Sequence, residues 1–141
     1  MEREVFPACR AHGFGAIVWS PLEGGWLTGQ YRKGQPIPED SRARNQTEFG
    51  AFVAQKFDMS APQNLHRLEL IESLVGLADE LGVPLARYAN AWTLLHPAVT
   101  SAIVGPRLMR HLDDGLRAVD LKIPAAHQKQ IDALVPFGTN V

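Results

Sequence analysis

Two places in this 141-residue chain combine residue types that could hold an anion. The apolar run Ala16-Ile-Val-Trp19 breaks into Ser20-Pro21-Leu22-Glu23-Gly24-Gly25, and Ser101-Ala-Ile-Val104 breaks into Gly105-Pro106-Arg107. In the first turn the Ser20 hydroxyl can donate to a diphosphate, Leu22 and Gly24 can offer backbone amides, and Trp19 presents a flat ring for stacking on a heterocycle. In the second, Gly105 allows close backbone approach and Arg107 carries a planar guanidinium suited to a phosphate monoester. The helix that begins near Leu108 points its free amides and positive dipole end outward. Together the turns describe a dinucleotide cradle with an anchor for a 2'-phosphate. The same residues also fit plain structure: Trp19 as core packing, Ser20-Pro21 as the start of a turn, Arg107 as a solvated charge at a helix end.

For both turns to serve one ligand, the strands that carry them must be parallel neighbours, because ligands of such sheets bind at the carboxyl edge. The pattern supplies the required crossover. Glu2 to Ala11 reads as a helix stopped at His12-Gly13, and Gly15 to Trp19 as a strand buried on both faces. A long surface loop follows to about Ser60, with one helix around Glu48 to Gln55. Asn64 to Leu81 aligns Leu68, Ile71, Leu74, Val75, Ala78 and Leu81, with Ser60 to Gln63 as a cap and Gly82 as the stop. Pro84 opens a helix whose Leu85, Tyr88, Ala89, Trp92 and Leu95 share a face until Pro97. Ser101 to Val104 is a second buried strand. The next helix turns Leu108, Leu112, Leu116 and Val119 inward and Arg110, Asp113, Asp114 and Arg117 outward. Ala125 to Val135 is the final helix, and Phe137 to Val141 a tail. Two parallel strands joined through helices make an α/β unit, yet two strands leave bare hydrogen-bonding edges, so further strands must come from elsewhere.

Composition narrows the partners. Hydrophobic residues make up 45% of the chain, an ordinary globular share that suits one domain. Lys and Arg total 14 against 15 Asp and Glu, a net charge of -1, so no overall field gathers nucleic acid or an anionic membrane. No apolar run approaches the roughly 20 residues that span a bilayer, and Met1-Glu-Arg-Glu lacks the order of a secretory signal, so the expected setting is cytoplasmic. Cys9 is the single cysteine, which excludes an internal disulfide and reads as an inert, half-buried thiol. His12, His66, His96 and His127 stand at helix ends or on helix faces without carboxylate or cysteine neighbours at ligand spacing, so no metal is expected. Asp113-Asp114 reads as a solvated helix face.

The ordered run Ile17-Val-Trp19-Ser-Pro-Leu-Glu-Gly-Gly-Trp-Leu-Thr-Gly-Gln-Tyr31, then Pro38-Glu-Asp-Ser-Arg42, then Ala91-Trp92-Thr-Leu-Leu-His-Pro97-Ala-Val-Thr-Ser-Ala-Ile-Val-Gly105-Pro-Arg107, closely resembles the C-terminal part of the aldo-keto reductases. The branch is the one related to potassium-channel β subunits and bacterial oxidoreductases, and the likeness runs from Glu4 to about Phe137. It implies a partial (β/α)8 TIM barrel, helix-rich, with the last two strands and their helices, as one partial domain over residues 1–141. It also implies an oxidoreductase that transfers hydride between NADPH and an aldehyde or ketone. On the family pattern Trp19 stacks on the nicotinamide, and Ser20, Pro21, Leu22, Gly24 and Gly25 form the diphosphate loop. Arg42 closes over the cofactor, Gly105 and Arg107 surround the 2'-phosphate, and His111, Asp114 and Gly115 lie near the adenine ribose. Two positions depart from that pattern: His111 stands where glutamine is common, and Gly115 where an asparagine reaches the adenine. The family's catalytic Asp, Tyr, Lys and His belong to earlier strands, so no catalytic residue is expected here. Tyr31 and Tyr88 do not stand in for that tyrosine. Such a chain needs a complementary barrel half to act; the alternative is a non-catalytic truncated remnant, or a module that oligomerises or interacts through its exposed strand edges.

Overall fold

A computed structural model describes residues 1–44 and 54–136. Helix α1 spans Val5–His12, strand β1 Ala16–Trp19, helix α2 Pro62–Glu80, α3 Leu85–Thr93, strand β2 Val99–Ile103, α4 Met109–Arg117 and α5 Ala125–Leu134. Short 3-10 segments occupy Glu23–Thr28 and Ala118–Asp120. This is the expected order. The helix expected around Glu48 to Gln55 falls largely outside the described residues, with 54–56 helical, and the tail from Phe137 falls outside them altogether.

Local chemistry accounts for the boundaries. Gly13 takes the left-handed conformation at φ 70°, and its amide closes on the Arg10 and Cys9 carbonyls. Proline stands at the first position of α2 and immediately before α3 and α5, where its missing amide costs no helical bond. The two strands pair parallel, Val18 opposite Ala102 and Trp19 opposite Ile103, with a slip in register between Ala16 and Ile17.

The main core lies among the helices. Leu68, Ile71, Val75 and Ala78 of α2 pack with Leu85, Tyr88 and Ala91 of α3 and with Ile131 of α5. The segment after β1 is more than a surface loop. It sends Trp26 and Tyr31 into that core, where they meet Phe57 with ring centroids 5.3 to 5.4 Å apart. Arg67 covers the Trp26 ring at 5.1 Å. Farther along, Arg32 makes a bidentate bridge to Glu72, and Lys33 reaches Glu69 at 2.8 Å, fastening the loop to α2. The bond from Arg32 holds the Glu72 carboxyl below its usual range, and the bond from Lys33 does the same to Glu69.

Several positions expected to be buried are not. Ile17 and Trp19 of β1 are 66% and 79% exposed, and Ile103 of β2 is 59% exposed. Alternate residues of a strand point to opposite faces, so Ala16 and Val18 pack with Phe6 and Cys9 of α1, while the other face is left uncovered by the described residues. The stripe on α4 likewise stays outside: Leu108, Leu116 and Val119 are exposed, and only Leu112 is partly covered. Trp92 and Leu95 are also exposed at the end of α3, which stops at Thr93 rather than running to Pro97. In each case the apolar pattern is present and the surface it would pack against is not among the described residues.

His127 corrects the reading of the histidines. It is buried, its Nδ1 lies 3.1 Å from the Tyr88 hydroxyl, and its Nε2 lies 3.2 Å from Glu80. Burial, and then the charge of Glu80, push the Tyr88 phenol above its usual range. Asp114 corrects another expectation. It is not a solvated charge but a partly covered one, paired with Arg87 of α3, while Asp113 makes the exposed bridge to Arg117 at 2.8 Å.

Candidate cofactor site

The carboxyl ends of β1 and β2 lie side by side, and the two turns leave from the same edge. The turn after β1 has unusual backbone. Ser20 has φ 58° and Glu23 φ 49°, followed by Gly24 at 67° and Gly25 at 115°. Left-handed backbone at a residue with a Cβ costs about 1–2 kcal/mol, so Ser20 and Glu23 must be held there by their surroundings. The turn's own bonds do part of this. The Glu23 amide donates to the Ser20 carbonyl at 2.9 Å, and the Gly25 and Leu27 amides donate to the Leu22 carbonyl at 2.9 and 3.2 Å. The Leu22 and Gly24 amides take no part in these bonds. Successive amides in such a turn line a concavity suited to an anion.

A chain of contacts links this turn to the second one. The Tyr31 ring and hydroxyl stand 3.7 Å from where a Cβ on Gly25 would sit. The same hydroxyl accepts a bond from the Ala43 amide at 3.3 Å, which fixes the backbone beside Arg42. Ser41 is fully buried, its hydroxyl donating to the Pro38 carbonyl at 2.6 Å. Arg107 then donates to the Asp40 carbonyl at 3.2 Å. Arg42 and Arg107, distant in sequence, therefore occupy adjoining loops, both exposed. Among the described residues a Cβ on Gly105 would meet no atom within 4 Å, so the space beside it is open.

The residues on α4 are placed differently. His111 is exposed in the first turn of the helix. Gly115 packs against Val104, whose methyl would stand 3.9 Å from a Cβ there. Asp114 is held by Arg87, so its carboxylate serves the contact between α3 and α4. The structure thus gathers Trp19 to Gly25, Arg42, Gly105 and Arg107 around one edge, and gives Asp114 a structural partner.

Three observations bear on whether a dinucleotide suits this edge: the two amides outside the turn's bonds, the guanidinium groups on adjoining loops, and the open space beside Gly105. All three favour an extended anion with more than one phosphate. One residue here escaped sequence reasoning. Lys56 brings its ammonium to 2.6 Å from Glu23, and to 3.3 Å from where a Cβ on Gly24 would sit. A lone lysine in a polar stretch has no periodicity to reveal it.

Comparison with known proteins identifies relatives of the chain. A protein of Schizosaccharomyces pombe named for the voltage-gated potassium channel β subunits is 32% identical over 96% of this chain and 38% of its own length. An oxidoreductase of Bacillus subtilis is 35% identical over 96% of this chain and 36% of its own length. The chain thus spans little more than a third of these curated relatives. In fold it is similar to a glycerol dehydrogenase of Gluconobacter oxydans, with a TM-score of 0.67 and 19% identity, over 99% of this chain and 40% of that one. The sequence model of the aldo/keto reductase family matches residues 1–136, and the chain belongs to that family.

Proposed function

We propose that this chain is the NADPH-binding portion of an aldo/keto reductase-type oxidoreductase, contributing the last two strands of a TIM barrel and their helices in a cytoplasmic setting. The observation that carries the reading is the contact between the Arg107 loop and the Arg42 loop beside the glycine turn, which puts two guanidinium groups on one sheet edge with the amides that lie outside the turn's own bonds. In the complete enzyme NADPH supplies hydride to an aldehyde or ketone. This chain's share is binding and orientation. Trp19 offers a ring, Ser20, Pro21, Leu22, Gly24 and Gly25 a diphosphate cradle, Arg42 a closing cation, and Gly105 and Arg107 a 2'-phosphate site, with His111 and Gly115 toward the adenine. The acid that protonates the developing alkoxide is expected on earlier strands, so the isolated chain binds without turning over.

Titration of the purified chain with NADPH, followed by tryptophan and nicotinamide fluorescence beside a carbonyl-reduction assay, tests this. Saturable binding without turnover is expected. No binding overturns the cofactor reading, and steady turnover overturns the assignment of catalysis to absent strands.

A second reading is favoured by a separate observation, the uncovered apolar face of the sheet and of α4. There the chain is a truncated remnant or an interaction module whose open sheet edges pair with a complementary barrel half or with copies of itself. Assembly with a separately expressed set of the missing strands, without NADPH affinity in either piece, would favour it.

A further inference from the structure

The glycine turn has a neighbour that neither the family match nor the sequence pattern assigns. Lys56 precedes Phe57, whose ring lies 5.3 Å from that of Trp26 and inclined to it by only 13°, so the segment is fixed against the turn that contains Gly24 and Gly25. The buried Asn64 fastens it a second time, donating to the carbonyls of Lys56 and Asp58 at 3.2 and 2.9 Å. Held at both points, the lysine stem is only 23% exposed and its ammonium ends over Gly24, against a Glu23 carboxylate that is 52% exposed. An ion pair at such a rim contributes little to stability, and the scaffold beneath it is more elaborate than one needs. Glu23 also sits at φ 49°, so its carboxylate is placed by the same left-handed turn that presents the amides.

We propose that Lys56 is a further cofactor-binding residue: its ammonium contacts the diphosphate of a dinucleotide seated on the Leu22 and Gly24 amides, exchanging Glu23 for the ligand. This rests on the cofactor reading above. Without ligand, Glu23 occupies the lysine; with ligand, the diphosphate accepts the ammonium's hydrogen bonds and Glu23 turns to solvent. A lysine suits this exchange because its ammonium is a mobile point charge, with no fixed fork to realign.

The test is a titration of the full chain with NADPH, NADH and ADP-ribose, reading the Gly24 and Gly25 amide resonances. Lys56→Met is expected to weaken all three ligands alike by about tenfold, the scale of one charge-assisted contact, because all three carry the diphosphate. Lys56→Arg keeps most of the affinity, and Glu23→Gln, which removes the competing carboxylate, tightens binding a few-fold. Unchanged affinity in Lys56→Met, in a chain where Arg107→Ala still weakens NADPH, overturns the role of Lys56 and leaves the cofactor reading standing. If Lys56→Met fails to fold, Glu23→Gln decides, and unchanged affinity there overturns the proposal. Absence of any saturable shift in the unaltered chain overturns both.

Discussion

Arg107 and Gly24 show how single residues set the character of the edge. Among the described residues Arg107 donates to the Asp40 carbonyl through one nitrogen, which leaves its other donors to face a ligand. Replacing it with alanine is expected to weaken NADPH by about tenfold or more and NADH by less than about twofold, because only the former has the 2'-phosphate. Equal losses measured by fluorescence titration would show that the arginine reads another group. At Gly24 the backbone, at φ 67°, decides the outcome. A side chain there adds about 1–2 kcal/mol of left-handed strain, and its Cβ would crowd the end of Lys56. Gly24→Ala should therefore lower the thermal midpoint by several degrees, in calorimetry, and weaken every dinucleotide.

Elements are joined here by polar fastenings laid over an apolar core. The loop after β1 is tied to α2 through Arg32 with Glu72 and Lys33 with Glu69, and both carboxyls are held below their usual range by those bonds. Carboxyls depressed in the folded chain bind protons more weakly than in the unfolded chain. Their stabilisation is therefore present above the unfolded range of about 4, and disappears as pH falls through the lower folded values. Thermal midpoints measured from pH 7 to 3 should fall along this limb, and Arg32→Ala should flatten it. Helix α5 is fastened in another way, by the buried contact of His127 with Tyr88 and Glu80. Tyr88→Phe keeps the ring and removes the hydroxyl, leaving a buried nitrogen without its partner. A loss of about 1–3 kcal/mol in denaturant unfolding is expected.

At the scale of the whole molecule, the chain spans little more than a third of the curated relatives it matches. Helices cover one face of the two-stranded sheet, while Ile17, Trp19 and Ile103 on the other face, and Leu108, Leu116 and Val119 beside it, remain open to solvent. Apolar surface of this extent favours association. The isolated chain should self-associate in a concentration-dependent way by light scattering. Exchanging Leu116 for lysine together with Val119 for glutamate should shift it toward monomer with little change in thermal midpoint, since neither side chain is buried here. A monomer at all concentrations in the unaltered chain would argue against any role for this face in assembly.

What the amino-acid sequence determined by itself was local and periodic. The helix stops at Gly13 and Gly82, the prolines before α3 and α5, the apolar stripe of α2 and the two strands that run into glycine turns all follow from backbone freedom and side-chain spacing. The pairing of those strands followed as well, because the helices between them supply a parallel crossover. Only the tertiary structure decided which apolar residues are covered. Periodicity states that a face seeks burial without stating what buries it, so Trp26, Tyr31 and Phe57 became core while Trp19 and Leu116 did not. The same limit hid Lys56 and the partners of His127 and Asp114, since ion pairs and buried hydrogen bonds join residues whose distance along the chain carries no signal.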